Sequence, residues 1–137
     1  MAETHASITL PASAEQVWQL IGGFDALPDW LPYIPRSTLS EGGRVRTLAS
    51  AGGDRIVERL IAFDEAARSY TYAILEAPFP VRDYRSTLAV REVDGRARVD
   101  WSGRFTPSGV SEEDAVRLFG AIYRDGLAAL AQSFPEG

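Results

Sequence analysis

Ser111-Glu-Glu-Asp-Ala-Val-Arg-Leu-Phe-Gly-Ala-Ile-Tyr-Arg-Asp-Gly-Leu-Ala-Ala-Leu-Ala-Gln-Ser133 is the stretch that decides the fold. Val116, Phe119, Tyr123, Leu127, Leu130 and Phe134 recur at the spacing of a helix that buries one face. Ser111 stands where it can cap the first turn, and Glu112, Glu113 and Asp114 complement the helix dipole. This is the only long helix the chain offers, and most of what precedes it reads as strand. A strand-rich chain must cover its sheet with something. A twisted sheet and a straight cylinder cannot touch everywhere, so a cavity is expected between them. The function is expected to lie in that cavity.

Working outward from the helix, residues 3–10 alternate and predict a first strand that Pro11 ends. Ser13 starts a short helix with Gln16 completing a capping box, and Gly22-Gly23 stops it. The segment Phe24 to Pro35, rich in aromatics and prolines, predicts a second short helix around 25–31 and an extended exit. Strands are expected near 36–41, 44–49, 54–63, 68–76, 84–92 and 96–106, with Asp94-Gly95 as a hairpin signal. The order is α+β, with a seven-stranded antiparallel sheet curved around the C-terminal helix. No repeat or linker interrupts it, so one domain spanning 1–137 is expected.

Composition narrows the chemistry. A chain of 137 residues can bury on the order of 68% of its unfolded surface. A net charge of −5 gives neither nucleic-acid phosphate nor an anionic membrane an electrostatic attraction, and neither is expected as a partner. No apolar run reaches the roughly 20 residues of a membrane span. Met1 to His5 lacks the basic and apolar regions of a signal peptide, so a cytoplasmic location is expected. There is no Cys, and all fourteen basic residues are Arg, which excludes thiolate and Schiff-base chemistry. His5 is the single histidine, either a base or a solvated side chain. The glycine pairs have turn character and form no phosphate loop, and no cofactor is implied.

Strand alternation sorts the faces. Tyr84, Ser86, Leu88 and Val90 share an inward face, as do Val99, Trp101, Gly103 and Phe105, and as do Tyr70, Tyr72 and Ile74. Two strands are ambiguous. One offers Ile56, Glu58 and Leu60 against Val57, Arg59 and Ile61; the other groups Arg44, Arg46 and Leu48 against Val45 and Thr47. In the first, either choice puts an ionisable group among apolar neighbours. Tyr123 lies on the stripe of the last helix, and its hydroxyl needs a partner. Gly126, beside it, either leaves room for a ligand or permits close helix–sheet approach.

Several stretches together carry a family resemblance. They are Leu10-Pro-Ala-Ser-Ala-Glu-Gln-Val-Trp18, Phe24-Asp-Ala-Leu-Pro-Asp-Trp30, Arg55-Ile-Val-Glu-Arg-Leu60, Ser69-Tyr-Thr-Tyr72, Pro78-Phe-Pro80 leading to Asp83-Tyr84, and Val99-Asp-Trp101. With the element order, the chain resembles the SRPBCC superfamily, the helix-grip fold of START domains, birch-pollen allergens and polyketide cyclases. Within it, the chain resembles the bacterial polyketide cyclase/dehydrase branch. The resemblance implies a cavity that takes a small, largely apolar, aromatic or polyketide-like molecule, and it favours Arg46 and Glu58 as cavity-facing. Ligand-binding candidates are Trp30, Tyr33, Tyr72, Asp83, Tyr84, Trp101, Phe105 and Tyr123, with Trp30 and Tyr33 at the mouth. The alternative is a cofactor-free cyclase or dehydratase in which Glu58 (or Asp83 or Tyr72) moves a proton and Arg46 holds an oxyanion. Against both stands the reading of Arg46 and Glu58 as a loose surface pair. A third reading is an interaction module, a homodimer included, formed through exposed sheet edges.

Overall fold

The computed structural model describes residues 1–135. The chain begins with β1 (Ala2–Leu10), then α1 (Ala14–Ile21) and α2 (Leu27–Trp30), before β2 (Arg36–Ser40) and β3 (Val45–Ala49). Next come β4 (Arg55–Asp64), β5 (Ser69–Glu76), β6 (Val81–Val93), β7 (Arg96–Pro107) and finally α3 (Glu112–Ala131). Seven strands form one antiparallel sheet in the order β1-β7-β6-β5-β4-β3-β2. The helix-grip architecture expected from the sequence is the one observed. β2 to β7 form a meander of neighbours, and β1 closes onto β7 at one edge while β2 stays free at the other.

Local chemistry explains the short elements. Ser13 Oγ accepts from the Gln16 backbone while Gln16 Oε1 accepts from the Ser13 N–H, which closes the expected capping box. Ser111 Oγ accepts the Asp114 N–H at 3.1 Å and starts α3. The second helix is shorter than 25–31, because Pro28 is confined to its first turn and Leu31 is already extended. Arg44 is not in a strand with Arg46: it ends a 3-10 turn over Glu41–Gly43 and is exposed. The three glycine-rich residues before it thus take Arg44 out of the inward-facing set.

The inner face follows the alternation. Tyr70, Tyr72, Tyr84, Leu88, Val90, Val99, Trp101 and Phe105 are all buried in one core with α1, α2 and the stripe of α3. In the two ambiguous strands, Ile56 and Glu58 point inward, as do Arg46 and Leu48. Arg46 and Glu58 are direct cross-strand partners in the β3–β4 ladder. α3 lies across β1 and β7, where Ala2, Ala6 and Gly103 keep the sheet surface low. That leaves the β3, β4 and β5 half of the concave face without α3 on it, and Trp18 of α1 and the α2 segment reach over it.

Candidate functional site

The cavity opens over that half. Its volume is about 260 Å³. Leu27, Leu31 and Ile34 from α2 and its exit form one wall, and Leu48, Ile56, Tyr72 and Ile74 form the sheet floor. Phe119, Ile122 and Tyr123 of α3 complete the inner end, while Tyr33, residues 50–52, Asp54, Pro78 and Phe79 surround the mouth. The lining is mostly apolar and aromatic, with few polar groups, the usual composition of a small-molecule site.

An ion pair sits against the floor. Arg46 is only 1% exposed and Glu58 6%. Arg46 Nε donates to Glu58 Oε1 at 2.8 Å, and Nη2 completes the ion pair 2.8 Å from the same oxygen. Arg46 Nη1 donates to the Phe24 carbonyl at 3.0 Å and to the Tyr70 hydroxyl at 3.2 Å. Its guanidinium lies 4.2 Å from the centre of the Phe24 ring and 4.7 Å from that of Tyr72. Burial raises the Glu58 carboxyl above its ordinary range, and the charge and hydrogen bonds of Arg46 only partly oppose this. Burial works to lower the Arg46 pKa, but Tyr70, Glu58 and Tyr72 outweigh it, and the guanidinium stays charged.

A second polar group hangs on Ser86. Trp101 Nε1 donates to Ser86 Oγ at 3.0 Å and to the Tyr72 hydroxyl at 3.2 Å, and Ser86 Oγ donates to the Ser102 carbonyl at 2.7 Å. The hydroxyls of Tyr84 and Tyr123 hydrogen-bond to each other. Burial is the main reason that Tyr72, Tyr84 and Tyr123 are raised, Tyr123 to about 12, so all three stay protonated at neutral pH and act as donors. Tyr33 is raised by burial and by Asp125, and it donates to the Ile122 carbonyl at 3.0 Å.

The family described as polyketide cyclase/dehydrase and lipid transport matches residues 1–135. The chain belongs to that family. Among solved structures, the protein XoxI from Bacillus cereus is 57% identical, with a TM-score of 0.95 over 98% of this chain and 96% of that one. Two more distant structures share the fold. The di-domain aromatase/cyclase BexL of the BE-7585A biosynthetic pathway is 21% identical, with a TM-score of 0.81 over 96% of this chain and 46% of that one. A START superfamily protein from Mycobacterium smegmatis is 13% identical, with a TM-score of 0.80 over 98% and 97%. No curated protein matches the chain.

Measured against this family's cavity, the candidates divide. Tyr33, Glu58, Tyr72, Tyr84, Trp101 and Tyr123 all line it. Trp30 does not: it is buried behind the wall with its ring 5.8 Å from Trp101, and its Nε1 has no partner among the described residues. Phe105 is packed behind Tyr84 and Phe119 and does not reach the lining. Asp83 is exposed at a β-bulge with φ +54, which turns it to the outer surface. Arg46 lies behind Glu58, outside the lining, so it is not placed to hold an oxyanion of an occupant.

Other contributors were missed. Phe24 supplies a carbonyl and a ring to Arg46, and residues 50–52 with Asp54 supply part of the mouth; loop positions carry no periodicity that would have flagged them. Ser86 had a signal: it is the one small polar residue on an inward face otherwise made of Tyr84, Leu88 and Val90. Gly126 permits close approach, since a Cβ there would stand 2.6 Å from Trp101 Cζ3 and 2.7 Å from the Tyr33 hydroxyl. It leaves no room for a ligand.

Proposed function

We propose that this protein binds a small, largely apolar molecule in the cavity between sheet and α3. The observation that carries the reading is the 260 Å³ aromatic-lined space with a few inward polar groups, in a chain whose family description includes lipid transport. The net charge of −5 supports a small-molecule partner over a nucleic acid. Native mass spectrometry of protein purified from its own host tests this. An adduct is expected that is released on denaturation, and that disappears in Ala51→Trp, which puts an indole at the mouth. Protein that is always recovered empty, and that no apolar probe enters, would sink the reading.

A second reading is cofactor-free cyclase or dehydratase chemistry, supported by one observation: a buried carboxyl with a raised pKa faces the cavity beside phenolic donors. Glu58 would move the proton, and tyrosines rather than Arg46 would stabilise a developing oxyanion. Loss of turnover in Glu58→Gln with affinity retained is the result that favours it. Unchanged turnover removes Glu58 from any catalytic role.

A further inference from the structure

One carboxylate oxygen in the cavity has no protein donor among the described residues, and it characterises an occupant. The hydrogen bond from Arg46 Nε and the ion-pair contact from Nη2 both fall on Glu58 Oε1. Among the described residues no hydrogen bond ends on Oε2, although Glu58 lines the cavity. Oε2 is not sealed in the core but opens to the cavity, so its donor has to come from whatever fills that space. On the donor side, Tyr72, Tyr84 and Tyr123 bring three phenolic protons to the lining. One joins Tyr84 to Tyr123. Ser86 Oγ already accepts from Trp101, so it has one lone pair left for a second. Trp101 is itself a donor and can accept nothing. Phenol oxygens accept as well as donate, so these hydroxyls can satisfy one another and Ser86, and one of them can turn its proton to the oxygen of an occupant.

We propose that Glu58 is the specificity-determining residue of this cavity, and that the occupant is a neutral, hydroxyl-bearing aromatic of one or two rings. Its O–H donates to Glu58 Oε2, and its own oxygen or a carbonyl accepts from a cavity tyrosine. The size follows from 260 Å³, room for about a dozen non-hydrogen atoms at interior packing density. The neutrality follows from Arg46, whose bonds to Glu58, Phe24 and Tyr70 hold it behind the lining. An acidic ligand would meet the Glu58 carboxylate with no free countercharge. The inference rests on the reading of the cavity as a small-molecule site.

Three two-ring probes of nearly equal size test it: naphthalene, β-naphthol and β-naphthoate. Affinities are read from the Trp101 indole N–H resonance in NMR titrations at mildly alkaline pH. In the wild type, β-naphthol should bind at least tenfold tighter than naphthalene, the factor a hydrogen bond to a charged group supplies, and β-naphthoate should bind weakest. Glu58→Gln should cut the naphthol-over-naphthoate preference by about tenfold and leave naphthalene unchanged. If naphthalene binds and β-naphthol gains nothing over it, or β-naphthoate binds as tightly, the specificity claim is overturned while the cavity remains a binding site. Entry of none of the three overturns both. The wild-type comparison stands alone if Glu58→Gln does not fold.

Discussion

Arg46 and Glu58 face each other across β3 and β4, and their energetics set two predictions at the scale of single residues. Replacing Arg46 by Met strands a buried carboxyl and should cost about 3–5 kcal/mol in urea unfolding at neutral pH, whereas Arg46→Met with Glu58→Leu should recover most of the loss. Equal costs for the single and double variants would mean that the pair is not coupled. The second prediction concerns pH. Because burial raises the Glu58 pKa above 4.5, the folded state holds its proton at a pH where the unfolded state has released it. Its contribution to stability is thus present below the unfolded value and is lost as pH rises through the folded one. Glu58→Gln, isosteric with the protonated acid, removes this term. The stability of wild type minus that of Glu58→Gln should fall as pH rises from about 4 to 8. A difference that rises instead would show the ion pair with Arg46 outweighing desolvation.

At the scale of elements, the docking of α3 depends on glycine at particular points. A Cβ on Gly126 would meet Trp101, Tyr33 and Leu31, none of them free to retreat from the core. Gly126→Ala should lose about 1–3 kcal/mol by overpacking despite its better helix propensity. Gly120 differs, since a Cβ there meets the flexible end of Arg124 at 3.1 Å and the Thr4 hydroxyl at 3.2 Å. Gly120→Ala should be neutral to slightly stabilising, within about 0.5 kcal/mol, because helix propensity offsets the tighter contact. Thermal unfolding of both variants decides the point; equal destabilisation would show that α3 has one uniform clearance from the sheet. Ser111→Ala should cost about 1 kcal/mol by removing the N-cap, with no effect on the cavity.

At the scale of the whole molecule, the sheet is covered in two ways. α3 packs on β1 and β7, and the cavity occupies the space above β3, β4 and β5. Any occupant therefore replaces missing core, and its binding should stabilise the entire domain. A probe at a hundred times its dissociation constant should add about 2.7 kcal/mol to unfolding stability. No shift at saturating probe would mean that the occupant binds folded and unfolded chains alike, contrary to an internal site.

The sequence by itself determined the helix grip. Period and alternation are local properties, so the α3 stripe, the capping box of α1 and the inward sets of β5, β6 and β7 were all legible in residue order. The same pattern placed Tyr72, Tyr84, Trp101 and Tyr123 on the inner surface. Alternation left Glu58 and Arg46 ambiguous, because the strand of Glu58 carries an ionisable group on either face and that of Arg46 groups two arginines with Leu48 against Val45 and Thr47. Tertiary structure decided the rest. It turned Asp83 outward through a bulge, set Phe105 and Trp30 behind the cavity wall, and enclosed Arg46 between Phe24 and Tyr72. These outcomes depend on how a twisted sheet, two short helices and one straight helix meet in space. That packing is a relation among residues far apart in the chain, and no local period encodes it.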